Sequence, residues 1–202
     1  DYEALSYFTE FWPSDNTDPI ERLFIQWGFS QVFPAKTMCA HVTTWNKNSS
    51  VKFRTDVAMM CKLGFDIKLA DMSKDDETYC RTAVQNYNRL KPVVLEGDMY
   101  RLISPYGSNH TSTMYVGKDK DKAVVFAFDI HPRYAEKTLP VRLQGLDADK
   151  MYRVKEINLM PGANSSLSGN GEVFSGEFLM NVGLNLFTTQ QLNSRVIEVV
   201  AE

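Results

Sequence analysis

Apolar residues recur at helical spacing in the first half of the chain. The clearest stripe consists of Ile20, Leu23, Phe24 and Trp27. Asp18 can cap this helix, Pro19 suits its first position, and Gly28 predicts its end. Similar spacing predicts a helix over 51–63 and another that opens at Ser73 and closes at Pro92.

Short apolar runs lie between these helices and fit β-strands. They cover 7–14, 37–43 with a lead-in at 31–33, and 65–69. A helical turn through Leu5, Phe8 and Trp12 fits the first run as well. The resulting order of strand, helix, strand, helix, strand and helix is typical of parallel β/α architecture. We therefore predict an α/β part over residues 1–105.

The pattern changes in the second half of the chain. Short β-rich runs alternate with Gly, Asn and Ser clusters, at 113–116, 123–128, 139–143, 151–157, 171–179 and 195–200. A charged turn at 117–122 separates the first two runs, and 161–171 is predicted to be a long loop. Several short strands at this spacing indicate an antiparallel β-sandwich, so residues 106–202 are predicted to form an all-β domain.

The composition excludes several classes of protein. Hydrophobic residues make up 44% of the 202 positions, which argues against global disorder. A net charge of −3 argues against a nucleic-acid partner held through phosphates. There is no apolar run long enough for a membrane span and no signal peptide, so no membrane partner is expected and the compartment, cytoplasm or periplasm, stays open. The start at Asp1, followed at once by aromatic residues, suggests a piece cut from a longer protein.

The cysteines and the glycosylation triplets add little chemistry. The cysteines are Cys39, Cys61 and Cys80, and the triplets begin at Asn48, Asn109 and Asn164. An odd number of cysteines without short spacing indicates buried thiols rather than a disulfide framework or a zinc site. No metal and no cofactor are expected.

One polar segment carries the candidate chemistry. Asp15 stands in the turn between a predicted strand and the helix that Asp18 caps. In a β/α barrel, catalytic side chains converge on that face, although an aspartate in such a turn is more often a cap or a turn former. Because Asp18 can already serve as the cap, Asp15 has no structural duty, and the sequence leaves its structural and catalytic roles about equally open.

The same segment resembles the acid/base region of glycoside hydrolase family 36, the α-galactosidases. Residues 11–30 read FWPSDNTDPIERLFIQWGFS. They are similar to the family's Trp-x-Ser-Asp-(Asn/Asp)-Thr-Asp element and to its Glu-Arg and Ile-Gln-x-Gly-x-Ser elements. The resemblance continues through Phe33-Pro34, 38–43, Phe53-Arg54 and 64–69, and more loosely over 145–184.

The resemblance implies an enzyme built from an amino-terminal β domain, a (β/α)8 TIM barrel and a carboxyl-terminal β-sandwich. A full barrel needs about 250 residues, so this chain would hold the last three or so strand–helix units of the barrel, followed by the sandwich. The family's nucleophile, an aspartate in a Lys-Trp-Asp motif, has no counterpart in the sequence and would lie upstream of Asp1. The chain alone is therefore expected to be inactive.

The resemblance also implies a retaining double displacement on galactose-containing oligosaccharides, with Asp15 as the general acid/base. Trp12 could stack on the sugar or pack in the core. His41 could lie near the barrel mouth or be a structural histidine bonded to the backbone. Arg22 is expected to pair with Asp18 one turn back on the helix.

Two other interpretations stay open for the second half. It could be a non-catalytic carbohydrate-binding module, or a brace for the barrel that also supports contacts in a homo-oligomer. Its tyrosines are scattered rather than aligned along one strand, which favours the brace. Open strand edges and apolar helix faces of a partial barrel should make the isolated chain aggregate, pair with a copy or require the missing part.

Overall fold

Three parallel strand positions, each followed by a helix, make up the first half of the chain. A computed structural model describes residues 2–45 and 48–202. Phe11 forms a single parallel bridge with Met38, and β1 pairs in parallel with β2. The elements are 3-10 turns at Tyr2–Ser6, Ala35–Thr37 and Leu69–Asp71, helices α1 (Pro19–Phe29), α2 (Val51–Ala58) and α3 (Lys74–Glu96), and strands β1 (Cys39–Thr43) and β2 (Lys62–Asp66). The predicted order is confirmed, but the strand predicted over 7–14 is reduced to Phe11.

One six-stranded antiparallel sheet makes up the second half. Its strands are β3 (Asp98–Ile103), β4 (His110–Val116), β5 (Lys122–Asp129), β6 (Met151–Ile157), β7 (Val173–Ser175) and β8 (Asn193–Ala201), with a short helix α4 (Gly176–Asn181) after β7. The spatial order is β3-β4-β5-β8-β6-β7. The predicted change from α/β to antiparallel β structure is confirmed.

The sheet is the middle layer of the molecule, because apolar side chains cover both of its faces. On one face, Tyr115, Phe126 and Val196 join the core formed with the α/β half. On the other face, Met114, Val125 and Ile197 belong to a second core. The central strands are therefore buried along most of their length, as in sheets that are packed on both sides.

The layer beyond the second core is less regular than the predicted strands. The run 139–143 contributes one antiparallel bridge, in which Val141 and Leu184 exchange two backbone hydrogen bonds of 2.8 and 3.0 Å. The run 171–179 divides into β7 and α4, because the Ser175 hydroxyl accepts from the Phe178 N–H at 3.1 Å and starts a helix there. This irregular layer faces the six-stranded sheet where the β-sandwich was predicted.

Helix α3 continues past Pro92, where the sequence predicted its end. Pro92 lies in the last two turns, and the buried Val93 and Val94 that follow it hold the helix against the core. The helix stops at Gly97, whose N–H bonds to the Val93 carbonyl at 2.9 Å. A Cβ at Gly97 would lie 2.3 Å from the Val93 oxygen and 2.5 Å from the Val116 oxygen, so close backbone packing requires glycine.

A fully buried carboxylate, Asp56 on α2, joins the two halves. It accepts hydrogen bonds from Tyr79 at 2.7 Å and from Lys52 at 2.6 Å within the α/β half. It also accepts from Asn158 at 3.0 Å and Ser194 at 2.7 Å in the β half. The halves therefore share polar contacts as well as a core. Strand β3 precedes residue 105 yet belongs to the antiparallel sheet, and the division at 105/106 stays a prediction.

Candidate active site

The loop between Phe11 and α1 is held by its own side chains at every second residue. The Ser14 hydroxyl accepts from the Asn16 N–H at 3.1 Å, and the Asn16 amide oxygen accepts from the Asp18 N–H at 2.9 Å. Asp18 in turn accepts from the Ile20 and Glu21 N–H groups at 2.9 and 3.1 Å. The predicted capping role of Asp18 is thus confirmed, and the loop is shaped without Asp15.

Asp15 presents its carboxylate to the surface of this loop. The residue is exposed, and within residues 2–45 and 48–202 its side chain forms no hydrogen bond and no ion pair. The hydrogen-bonding duties on either side fall to Ser14 and Asn16. A carboxylate left free in this way is available to exchange a proton with a ligand.

Trp12 and His41, both candidates from the sequence, lie against each other beside Asp15. Their ring centroids are 3.8 Å apart, with 38° between the ring planes. Trp12 is 48% exposed, so it is not a core residue. Burial and, second, the Arg22 charge lower the pKa of His41, against an opposite pull from Asp66 and Asp15. The site therefore combines an exposed aromatic surface with an imidazole held towards its neutral form.

His41 Nδ1 does not make the backbone hydrogen bond that a structural histidine would be expected to have. That atom is buried without a partner among the described residues, as are Gln26 Oε1 and Arg54 Nε. All three residues line one small internal cavity of about 10 Å³, beneath the loop. The base of the site is therefore polar, and its side chains face one another across a space the size of a water molecule.

Arg22 makes different contacts from those predicted. It does not bridge to the Asp18 side chain, whose Oδ1 caps the helix. Its guanidinium instead donates to the Ser14 carbonyl and to the Cys39 carbonyl, each at 3.1 Å. The physical reason is that Arg22 points inward, with only 3% of its surface exposed, whereas Asp18 faces the helix end. Sequence spacing could not reveal this, because both acceptors are backbone atoms.

The carboxyl ends of the three parallel strand positions form the surrounding surface. Thr17 of the loop accepts a hydrogen bond from Thr43 at the end of β1 at 3.1 Å. In the register of β1 and β2, Thr43 is opposite Asp66, the last residue of β2. Asp66 was missed by the sequence analysis, which predicted the strand over 65–69 and so put this residue near its beginning, whereas β2 ends at Asp66. A cleft of about 270 Å³ opens next to this edge, lined in part by Ser50, Arg54 and Lys68.

Other chemistry is limited in the part of the chain described. Within residues 2–45 and 48–202, no group of three or more His, Cys, Asp or Glu side chains is arranged to hold a metal ion. The three cysteines are free, and burial raises the pKa of Cys61 to about 12 and that of Cys80 to about 11, as expected for buried thiols. None of the described helices combines the length and apolar character needed to cross a bilayer.

Comparison with known families gives two consecutive matches that together cover most of the chain. Residues 1–97 match the family model described as Melibiase. Residues 110–199 match the model described as the glycosyl hydrolase family 36 C-terminal domain. The matches fall on the α/β half and on the antiparallel sheet, respectively.

Curated relatives match the chain along nearly its whole length. Alpha-galactosidase 2 of Hypocrea jecorina is 34% identical over 200 residues, which are 96% of this chain and 25% of that protein. Alpha-galactosidase 1 of Pediococcus pentosaceus is 30% identical over 182 residues, which are 88% of this chain and 23% of that protein. The chain thus spans about a quarter of the length of the curated relatives it matches.

Solved structures have the same fold over this region. The GH36 α-galactosidase AgaB from Geobacillus stearothermophilus superposes with a TM-score of 0.87 at 28% identity, over 100% of this chain and 27% of that one. An AgaA variant from the same organism, in complex with raffinose, gives 0.87 at 27% identity, with the same coverage. Another AgaA variant, in complex with stachyose, gives 0.86 at 29% identity, over 98% of this chain and 26% of that one.

Proposed function

This chain belongs to glycoside hydrolase family 36, and from that premise we propose that it is the carboxyl-terminal portion of a retaining α-galactosidase in which Asp15 is the general acid/base. The observation that carries the proposal is the loop 12–18. Its backbone is fixed by Ser14, Asn16 and Asp18, while the Asp15 carboxylate is exposed and without a hydrogen bond among the described residues. A structural aspartate would be engaged in such bonds.

We propose that residues 1–105 are the last three strand–helix units of a (β/α)8 barrel and that residues 106–202 are the carboxyl-terminal β-sandwich domain. The parallel order of Phe11, β1 and β2 supports this. Strand β2 is only half-buried, although parallel strands are normally covered on both faces. An apolar groove of about 700 Å³ runs beside it, lined by residues that include Phe65, Ile67 and Val84. In the parent enzyme, further barrel units would cover this groove.

The proposed reaction is a double displacement. A nucleophilic aspartate from an upstream part of the parent attacks the anomeric carbon, while Asp15 protonates the departing glycosidic oxygen. Asp15 then takes a proton from the water that hydrolyses the galactosyl-enzyme. This retaining geometry needs the two carboxyl groups about 5–5.5 Å apart. The chain alone would therefore be inactive, because it supplies one of the two groups.

We propose oligosaccharides with terminal α-linked galactose as substrates. Relatives of known structure have been obtained in complex with raffinose and stachyose. In this chain, Trp12 offers a half-exposed ring that could stack on the apolar face of a sugar, and the His41 ring packs against it with 3.8 Å between the ring centroids. No metal or cofactor enters this scheme.

For the second half, we propose a brace rather than a carbohydrate-binding module. The sheet shares a core with the α/β half, and Asn158 and Ser194 bond to the buried Asp56. Calorimetric titration of the chain with galactosides is the test that separates the two. Trp12→Ala removes the proposed sugar-stacking ring of the α/β half. If the second half is only a brace, this variant should bind no galactoside, whereas saturable binding by the variant would favour a carbohydrate-binding module.

The test of the acid/base assignment uses the full-length parent enzyme. Asp15→Ala should lower raffinose hydrolysis about 10²–10⁴-fold, the usual contribution of a general acid. It should lower kcat/KM for 4-nitrophenyl α-galactoside much less, since nitrophenolate leaves without protonation, whereas kcat should fall for this substrate too because Asp15 also activates the water of the second step. Asp18→Asn is the matched control, because asparagine caps a helix as well as aspartate and both substrates should be nearly unaffected. Unchanged raffinose hydrolysis in Asp15→Ala would contradict the proposal.

A further inference from the structure

We propose that Arg22 is the positioning residue for Asp15, a role that rests on the function proposed above. Arg22 comes from the first turns of α1, and its guanidinium connects two other elements of the same unit. One nitrogen donates to the Ser14 carbonyl and the other to the Cys39 carbonyl, each at 3.1 Å. A single side chain thus fixes the loop, the helix and the first residue of β1 relative to one another.

The contact between Arg22 and the Ser14 carbonyl matters for catalysis because of where it lies. The Ser14 carbonyl belongs to the peptide bond that leads directly into Asp15. Because the Asp15 side chain has no hydrogen bond within the described residues, its direction is set by this backbone. A misplacement of about 1 Å at a catalytic group can reduce a rate roughly 10²-fold. The position of the Asp15 carboxylate therefore depends on how firmly the Ser14 carbonyl is held.

The loop's other bonds do not supply this rigidity. The contacts of Ser14, Asn16 and Asp18 run within the loop and the start of α1, so they shape the segment without attaching it to the sheet. The Thr17–Thr43 hydroxyl pair attaches the far side of the loop to the end of β1. On the side that precedes Asp15, backbone bonds of Phe11 to Thr37 and Cys39 attach the start of the loop, and Arg22 makes the attachment at Ser14, the residue next to Asp15.

The chemistry of Arg22 is unusual for a residue whose only duty is stability. It is 3% exposed, and burial lowers the pKa of its guanidinium. Among the described residues no carboxylate forms an ion pair with it, and its hydrogen-bond acceptors are two neutral carbonyls. A buried cation without a counter-ion is expensive, and an apolar side chain in its place would often be at least as stable. A planar, two-ended donor has the geometry to hold two carbonyls at once, whereas a lysine ammonium does not.

Arg22 also acts on the imidazole beside Asp15. After burial, its charge is the largest influence that lowers the pKa of His41. Arg22 therefore influences the protonation of His41 as well as the backbone that carries Asp15.

The test compares Arg22→Lys with Arg101→Lys in the full-length parent. Arg101 is the matched control: its guanidinium bonds to the hydroxyl and carbonyl of Ser30, at the opposite end of the same helix. We expect Arg22→Lys to lower kcat/KM for raffinose at least tenfold while kcat/KM for 4-nitrophenyl α-galactoside changes about twofold or less. We expect Arg101→Lys to change kcat/KM for both substrates by the same factor. Arg22→Gln, which leaves no unpaired buried charge, serves as the second variant if the lysine variant does not fold.

The outcomes separate the two proposals. If Arg22→Lys or Arg22→Gln lowers kcat/KM for both substrates in parallel, or lowers only the melting temperature, Arg22 is a structural residue and the inference is overturned. If Asp15→Ala, measured alongside, fails to discriminate between the substrates, the acid/base assignment itself is wrong. A leaving-group effect in both the Asp15 and the Arg22 variants, absent from Arg101→Lys, is the result the proposal requires.

Discussion

Replacement of the buried Asp56 by asparagine should weaken the contact between the two halves of the chain more than any substitution at the surface. The carboxylate is fully buried, and the side chain of its ion-pair partner Lys52 is 13% exposed. It accepts four hydrogen bonds, two from each half of the chain. An asparagine has the same shape but no charge, and it turns an amide group towards two of the four donors.

The magnitude follows from this geometry. Hydrogen bonds to a charged group contribute about 1.5–3 kcal/mol each, but the four act as one network and do not add. Removal of one partner from a buried ion pair typically costs about 3–5 kcal/mol. We take that range for Asp56→Asn. For a chain of this size it corresponds to a fall in Tm of roughly 6–20 °C. Ser194→Ala removes one donor and should cost about 1–2 kcal/mol.

The assay is urea unfolding of the chain, followed by two signals. All three tryptophans, Trp12, Trp27 and Trp45, lie in the α/β half, so their fluorescence reports on that half. Far-UV circular dichroism reports on both halves. Since the halves share a core, the two signals should give one transition in the unsubstituted chain, and among the variants Asp56→Asn should lower its urea midpoint most.

Asp98→Asn is the control, because it removes an exposed ion pair with Lys118 and should cost less than about 1 kcal/mol. An Asp56→Asn variant as stable as Asp98→Asn would refute the view that this carboxylate joins the halves. Two separate transitions in the unsubstituted chain would refute it as well.

Three further predictions concern the chain itself. Because burial lowers the pKa of His41 in the folded chain below its ordinary value of about 6.5, the unfolded chain takes up the proton first, and stability should fall as the pH drops from about 6.5 towards the folded pKa. His41→Asn should flatten this fall, measured by urea unfolding at several pH values. An unchanged pH dependence would contradict the argument that His41 is buried. Gly97→Ala should lower the free energy of unfolding by about 1–3 kcal/mol in thermal unfolding, because the added Cβ meets backbone oxygens. Gly107→Ala is the control and should be nearly neutral, since a Cβ there meets open space. Equal effects of the two substitutions would exclude a steric cause. The purified chain should release no galactose from raffinose, and turnover that survives repeated chromatography would count against an upstream nucleophile.

Features set by neighbouring residues could be predicted from the sequence. The Asp18 cap and the Pro19 start of α1 depend on contacts within three residues, and the structure has them as expected. The turn between β4 and β5 was likewise visible as a charged run at 117–122. Where a local signal was overridden, the cause was tertiary packing: α3 runs through Pro92 because Val93 and Val94 are buried beyond it.

Features that depend on distant partners could not be predicted. The acceptors of Arg22 are backbone carbonyls 8 and 17 residues away, and carbonyls leave no trace in a sequence pattern. The donors to Asp56 from the β half lie 102 and 138 residues away. The sequence therefore indicated the candidate acid/base residue through its motif, but not the side chain that holds it in position.

The most direct test of the account is the product formed by the Asp15→Ala parent enzyme from 4-nitrophenyl α-galactoside in the presence of sodium azide. Azide needs no general base, so it should attack the stalled galactosyl-enzyme and restore turnover. A retaining enzyme that has lost its acid/base group should then yield α-galactosyl azide, identified by the anomeric coupling in its proton NMR spectrum. Formation of β-galactosyl azide would instead identify Asp15 as the nucleophile, and absence of any azide product with normal raffinose hydrolysis would remove it from the mechanism.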